Sequence, residues 1–410
     1  MQKNRSIKDE LKIFQEGLAE LISPDELEKK LSSSREKGAP LRIKYGADPT
    51  SKDLHLGHTV PLRKLRSLQD LGHRVIFIVG DFTARIGDPT QQTETRKMLS
   101  PAEVEANAAT YQEQVFRILN RSQTEVVYNS KWFDAMRPQD FLALAAKYTV
   151  ARLLERDDFQ KRFQENRPIA LVEFLYPLFQ GYDSVVVRSD IELGGTDQKF
   201  NLLVGRDFQR AYGQEPQVVM TLPIIEGTDG VQKMSKSLGN AVGIQDAPDE
   251  IFGKIMSIPD ALMLRYFRYL TEDGSAKAAA FEKELKDGKI HPRDLKVRLA
   301  KEIVTLYHNS EAAENARRAF DKVFREKEIP DNIPEVTVPK DLLEGGKMET
   351  LALLVRAGLA SSRSEARRQI EQGSVRVNQQ KIDLERTAIA LDGEVVIQCG
   401  KRKFARIRPS

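Results

Sequence analysis

Residues 42–58 read Arg42-Ile43-Lys44-Tyr45-Gly46-Ala47-Asp48-Pro49-Thr50-Ser51-Lys52-Asp53-Leu54-His55-Leu56-Gly57-His58. The apolar run 42–47 predicts a strand. Asp48-Pro49-Thr50 turns the chain, and His55 opens a helix that reaches about Leu71. Two imidazoles therefore stand in the first turn of a helix that follows a strand. A helix start carries unpaired N–H groups and about half a positive charge, so it attracts anions such as phosphate. His55 and His58 are three apart, share a face, and can both donate to a polyphosphate. Gly57 has no side chain, so a flat ring or a backbone can approach closely. Alone, this spacing is equally compatible with two helix-cap histidines.

A second stretch changes the balance. Lys233-Met234-Ser235-Lys236-Ser237 follows a strand-like run, 218–225, and a Gly227-Thr228-Asp229-Gly230 turn. A run of Lys and Ser is usually a solvated loop. One anchored by such a turn can also fold over phosphates and neutralise charge that develops during transfer. Together, His-x-Gly-His and Lys-Met-Ser-Lys-Ser resemble the two signature motifs of class I aminoacyl-tRNA synthetases, in the same order and setting.

The surrounding pattern fits an α/β fold with a doubly wound, parallel, Rossmann-like sheet. Residues 74–79 are almost wholly apolar, as in a strand buried on both faces. Strand, helix and strand then succeed one another, and ligands in such folds sit beyond the carboxyl ends of the strands. Residues 7–32 predict amphipathic helices, with a solvated link at 32–40. A helix at 101–120 and a strand at 125–128 follow, then a mostly helical stretch, 130–180. On a helix at 171–183, Tyr176, Gln180 and Asp183 share a face. Residues 184–188 are β-branched and predict a strand. Gly194-Gly195 opens a tight turn, with Asp197 and Gln198 at the next helix start.

The chain has 410 residues and 40% hydrophobic content, enough for two or three domains. The expected division is a catalytic domain at 1–245 with an insertion at about 130–180, a helical domain at 246–328, a linker at 329–346 and a small α+β domain at 347–410. The overall charge of +4 is too small to mark the whole chain as nucleic-acid binding. Residues 347–410, however, hold 13 Lys and Arg against 7 Asp and Glu, so the remainder is net negative. Arg363, Arg367 and Arg368 on one small helix there can contact phosphates, although charged helix faces are common. One cysteine, Cys399, excludes a disulfide framework and a cysteine-based zinc site. With no long apolar run, the expectation is a cytoplasmic protein without a membrane span.

Four further signatures extend the resemblance over nearly the whole chain. They are Gly46-Ala47-Asp48-Pro49-Thr50, Thr83 to Asp88-Pro89, Tyr176-x-x-x-Gln180-x-x-Asp183, and Gly194-Gly195-Thr196-Asp197-Gln198. Together with the tail, which resembles a small ribosomal-protein-type RNA-binding domain, they are similar to the bacterial tyrosyl-tRNA synthetases. The resemblance implies that Thr50, His55, His58, Lys233 and Lys236 engage ATP phosphates. Asp48, Gly57, Gly195 and Asp197 would lie on the ATP side. Thr83, Asp88, Tyr176 and Gln180 would hold the ammonium end of tyrosine, Asp183 its phenol, and Gln198 its carboxylate region. It also implies ATP with Mg2+, tRNA(Tyr) as partner, no metal held by the protein itself, and a homodimer built on 130–180. One departure stands out: many members have a tyrosine where this chain has Lys44, which places it in a subgroup and shifts phenol recognition toward Asp183. The rival readings are a tryptophan-specific synthetase, a class I nucleotidyltransferase, and a retired synthetase that only binds RNA.

Overall fold

The computed structural model describes residues 5–49, 53–89, 101–322, 333–384, 386–400 and 403–410. It divides into two compact units, Met1–Ala247 with Lys254–Tyr307, and Pro248–Gly253 with His308–Ser410.

The first unit opens with α1 (Ile7–Gln15), β1 (Glu20–Ile22), α2 (Pro24–Lys37), β2 (Arg42–Ala47), α3 (Leu56–Asp70), β3 (Arg74–Val79), α4 (Thr83–Ile86), α5 (Pro101–Val115) and β4 (Thr124–Tyr128). Four helices follow, α6 (Ser130–Phe133), α7 (Pro138–Ala145), α8 (Val150–Leu153) and α9 (Asp157–Gln164), and then the long α10 (Leu171–Val187). Next come β5 (Ile191–Gly195), α11 (Lys199–Ala211) and β6 (Val218–Leu222), then α12 (Pro248–Met256), whose residues up to Gly253 are counted with the second unit, and α13 (Met263–Leu270), α14 (Gly274–Lys286) and α15 (Pro292–Tyr307) of the first. The sheet order is β1-β6-β5-β2-β3-β4, parallel except for β1, which runs antiparallel on β6. Val75 to Val79 are all buried, as their unbroken apolar run requires of a strand covered on both faces. Strand order reverses between β2 and β5. The crevice beyond their carboxyl ends is where such sheets hold ligands.

Three expectations need correction. Residues 184–188 are not a strand: Ser184 to Val187 complete α10, which ends at Arg188 in the left-handed region, φ 48°. Their β-branching favours a strand, but packing against α11 overrides that weak preference. The link at 32–40 is mostly helix, because α2 continues to Lys37 and stops at Gly38 with φ 62°. The segment before it also contains β1, too short for its periodicity to show.

The second unit continues with α16 (Ser310–Asp321), β7 (Glu335–Val338), β8 (Lys347–Glu349), α17 (Thr350–Arg356), α18 (Arg363–Glu371), β9 (Val375–Val377), β10 (Gln380–Lys381), β11 (Ala388–Ala390), β12 (Val395–Cys399) and β13 (Lys403–Pro409). A five-stranded sheet, β10-β9-β12-β13-β7, covers a core that includes Leu353, Leu354, Ala366, Ile370, Ile397 and Ile407. The stretch read as linker thus contributes β7, which pairs in parallel with β13. Ser362 caps α18 by accepting the Glu365 N–H.

α10 and α11 lie close because Gly181 lacks a side chain. A Cβ there would stand 2.8 Å from Val204 Cγ1 and 3.2 Å from the Gly205 backbone nitrogen. Gly181→Ala therefore destabilises the first unit by about 1–3 kcal/mol through overpacking. Denaturant unfolding that gives an unchanged midpoint would contradict this.

Candidate active site

A cleft of about 430 Å³ opens at the carboxyl ends of β2 and β5. Its walls include Asp48, His55, Gly57, His58, Thr83, Asp88, Tyr176, Gln180, Asp183, Gly195, Asp197, Gln198 and Lys233, residues drawn from separate parts of the sequence. Thr50 lies outside the described residues. Arg363, Arg367 and Arg368 are on α18, in the other unit.

The rim is built where α3 meets the lysine-bearing loop. His55 is the N-cap of α3. The segment before it is pinned by the Leu56 N–H donating to Val242 O and the Ile244 N–H donating to Leu54 O. The Gly57 N–H then points to Met234 Sδ, 3.4 Å away. That contact seats Lys233-Met234-Ser235-Lys236 on the helix start. The His55 and His58 rings stack at 3.7 Å, and His58 Nδ1 accepts the His55 backbone N–H at 3.2 Å. In the neutral ring this leaves the proton of His58 on Nε2. Burial, then Lys236, lowers the His55 pKa to about 4. Burial first, then His55 and Lys236, holds His58 well below the usual range. At neutral pH both imidazoles are uncharged donors. His55 Nδ1 is buried without a hydrogen-bond partner among the described residues.

The lysine loop has its own peg, which the sequence reading missed. Asn240 is buried, and its amide donates to Asp229 Oδ2 at 2.7 Å and to Lys233 O at 3.1 Å. Its side-chain oxygen accepts the Ser235 N–H at 2.8 Å. Gly227 lies against it, where a Cβ would fall 2.2 Å from Asn240 Cγ. Lys236 reaches across to Asp53 at 2.8 Å, both partners being nearly half exposed.

The floor is a chain of carboxylates held by neutral donors and, at Asp88, by one guanidinium. Asp48 accepts from Thr83 Oγ1 at 2.7 Å and from the Tyr176 hydroxyl at 2.9 Å. Gly80 makes room for the first of these, since its Cβ would stand 2.0 Å from Asp48 Oδ1. Asp48, assigned to the ATP side by the family pattern, is thus bonded to two residues assigned to the amino acid. Asp88 accepts from Gln198 at 2.7 Å and from Arg156 at 3.3 Å. Asn201 donates to both Gln180 and Gln198 at 3.0 Å. Gly195 lies beside Asp197, whose carboxylate would be 2.5 Å from an added Cβ and would have to shift.

At the inner end, Asp183 is buried and accepts from Trp132 Nε1 at 2.9 Å and more weakly from Asn129 at 3.4 Å. Burial raises its pKa to about 7 against the opposing pull of Lys44, Trp132 and Asn129. Asn129 also donates to Thr83 and accepts the Phe82 N–H. Asn129, Trp132, Arg156 and Asn201 were not singled out from the sequence. Asn129 follows the last residue of β4, the same sheet edge as His55 and Gly195, and that position was the available signal.

Trp132→Phe removes a hydrogen bond to a charged carboxylate, worth about 1.5–3 kcal/mol. The Asp183 pKa then rises about one to two units above its present value. A carboxyl-carbon NMR titration of Asp183 checks this, and identical curves would refute it.

Comparison with known proteins adds independent findings. Residues 36–325 match the family described as tRNA synthetases class I (W and Y), and residues 351–395 match the S4 domain. A tyrosine–tRNA ligase of Carboxydothermus hydrogenoformans is 54% identical over 402 residues, 98% of both chains. One from Thermotoga maritima is 52% identical over 399 residues, 97% of both chains. Among solved structures, tyrosyl-tRNA synthetase from Archaeoglobus fulgidus aligns with a TM-score of 0.61 at 24% identity, covering 76% of this chain and 99% of that one. A C-terminally truncated mitochondrial tyrosyl-tRNA synthetase of Aspergillus nidulans aligns at 0.63 and 22%, covering 78% and 95%. At that identity the structures speak for the fold alone, and the relatives that are more than half identical carry the rest. The chain belongs to the bacterial tyrosine–tRNA ligases, class I aminoacyl-tRNA synthetases with a C-terminal S4 domain.

Proposed function

We propose that this cleft activates tyrosine with ATP and passes the tyrosyl group to tRNA(Tyr), with the residue roles that follow. In the first step the tyrosine carboxylate attacks the α-phosphate, giving tyrosyl-adenylate and pyrophosphate. In the second, a terminal ribose hydroxyl of the tRNA takes the acyl group. Neither step needs a protein nucleophile. Both need positioning and charge stabilisation, and the rim consists of donors and cations.

The observation that carries the reading is the seating of Met234 on Gly57. It brings the lysine loop against the imidazole pair at the mouth of a cleft that ends in Asp183. His55, His58 and Thr50 take the phosphates, and Lys233 and Lys236 take the leaving pyrophosphate. Asp197, Gly195 and Gly57 face the nucleotide. Thr83, Asp88, Tyr176 and Gln180 hold the ammonium group, with Gln198 near the carboxylate. Asp48 ties the two halves together through Thr83 and Tyr176. Asp183 accepts the phenol hydroxyl, and a buried carboxylate left without that partner is penalised, so phenylalanine is rejected. An indole N–H could reach Asp183, but the Tyr176, Gln180 and Asp183 set favours tyrosine.

Among the described residues no cluster of three or more His, Cys, Asp or Glu could hold a metal ion. Magnesium is taken to arrive with the nucleotide, held by its phosphates as part of the substrate. The expected division into 1–245, 246–328 and 347–410 assigns activation to the first part and tRNA contacts to the others, with Arg363, Arg367 and Arg368 on phosphates. Leu142, Val150, Phe163 and Leu171 are exposed apolar side chains within or beside the 130–180 insertion. Exposed apolar side chains of this kind suit contact with a second copy of the chain. Among the described residues no helix is long and apolar enough to cross a membrane. We place the protein in the cytoplasm, with its tRNA.

Tyrosine-dependent ATP–pyrophosphate exchange tests the reading. Tyrosine alone among tyrosine, tryptophan and phenylalanine should support it, and no exchange with tyrosine would end the proposal. Lys236→Ala should lower kcat for exchange at least about a hundredfold while the tyrosine KM moves little, as expected for a group that acts on developing charge. Deleting residues 347–410 should spare exchange and impair tRNA charging. Sedimentation should find a dimer, and an active monomer would remove the role given to the insertion.

A further inference from the structure

Lys44 lies on β2, two residues before the Gly46-Ala47-Asp48-Pro49-Thr50 turn. Its side chain is fully buried against α10 and β5. The ammonium donates to the Gln180 carbonyl at 2.8 Å, to Ser184 Oγ at 2.8 Å, and pairs with Glu192 Oε1 at 2.7 Å. Those three acceptors match its three N–H donors. Glu192 in turn accepts from the Ser184 hydroxyl at 3.0 Å and from the Gln217 amide. Gly205 closes the cluster, since a Cβ there would stand 2.5 Å from Gln217 Nε2 and 2.8 Å from Ser184 Oγ.

Gln180 and Ser184 are one helical turn apart and bracket Asp183. On the basis of the tyrosine reading above, we propose that Lys44 is a specificity-determining positioning residue: it grips the turn of α10 that presents Gln180 and Asp183, and its charge keeps Asp183 a carboxylate acceptor for the substrate phenol. The role does not require Lys44 to touch substrate. It places a charge behind the Asp183 contact.

The groups that face Asp183 give the proposal a sign. Lys44 from β2 favours the carboxylate, and Glu192 from β5 disfavours it. Trp132 and Asn129, beyond β4, donate to it, and Tyr176 is the titratable neighbour on its own helix. Burial has already brought Asp183 to about 7, so small changes in this balance change its protonation at neutral pH. A carboxyl that has gained a proton accepts a weaker hydrogen bond, and leaving it unpaired costs less.

The experiment is the pH dependence of kcat/KM for tyrosine in pyrophosphate exchange, from about pH 6 to 9, on the full chain. Lys44→Met should move the acid limb upward. It should also lower the tyrosine-to-phenylalanine ratio about tenfold at pH 7, with recovery at alkaline pH. Glu192→Gln should move the limb downward. Opposite shifts support the proposal. Equal losses with an unmoved limb in both variants overturn it and leave Lys44 a structural residue. If Lys44→Met does not fold, an unmoved limb in Glu192→Gln is enough to overturn it. A wild-type chain that fails to exchange with tyrosine would instead defeat the functional reading on which this rests.

Discussion

The parallel contact between β2 and β5 is the constraint on which the site depends. The two strands lie side by side, but the chain leaves them toward opposite halves of the sheet. The crevice between those departures cannot be filled by either crossover. Each strand end can then deliver a polar loop into it: Asp48 after β2, Asp197 and Gln198 after β5, Thr83 and Asp88 beyond β3, Asn129 and Trp132 beyond β4. A mixed or antiparallel arrangement would scatter these ends over both edges of the sheet.

Within the crevice, charge is sorted by depth. Carboxylates occupy the floor, each supported by neutral donors or a single cation. Uncharged imidazoles and the two lysines form the rim. The low dielectric of the floor makes an unpaired carboxylate expensive there, which suits recognition of a small polar molecule with an ammonium group and a phenol. The lysines of the rim are exposed to solvent. That would suit the role on phosphates proposed for them.

The sequence disclosed the parts that depend on local chemistry. Two imidazoles at a helix start, a lysine pair after a turn and three polar residues on one face of α10 were legible because their spacing carries the geometry. The doubly wound sheet followed from unbroken apolar runs. What escaped depended on tertiary partners. Residues 184–187 look like a strand until α11 is placed against them. Asn129, Asn201 and Asn240 are unremarkable polar residues in one dimension, and only the fold shows that each bridges two or more others. Arg156 belongs to a helical insertion with no sign that one of its residues would reach Asp88. Lys44 was legible as a departure, but its burial against Glu192 was not, because the partners are 148 positions apart.

The ion pair between Lys236 and Asp53 carries a consequence for turnover. Both groups face solvent, so their attraction is screened over roughly 8 Å at physiological ionic strength and is worth about 1 kcal/mol or less. In the reaction proposed above, transferring the ammonium from this parking place to an incoming triphosphate would therefore forfeit almost nothing. Returning it after pyrophosphate leaves would recover equally little. On that proposal the loop would lie on nearly level ground between Asp53 and the phosphates, and its cycle would be governed by the anion and not by the latch.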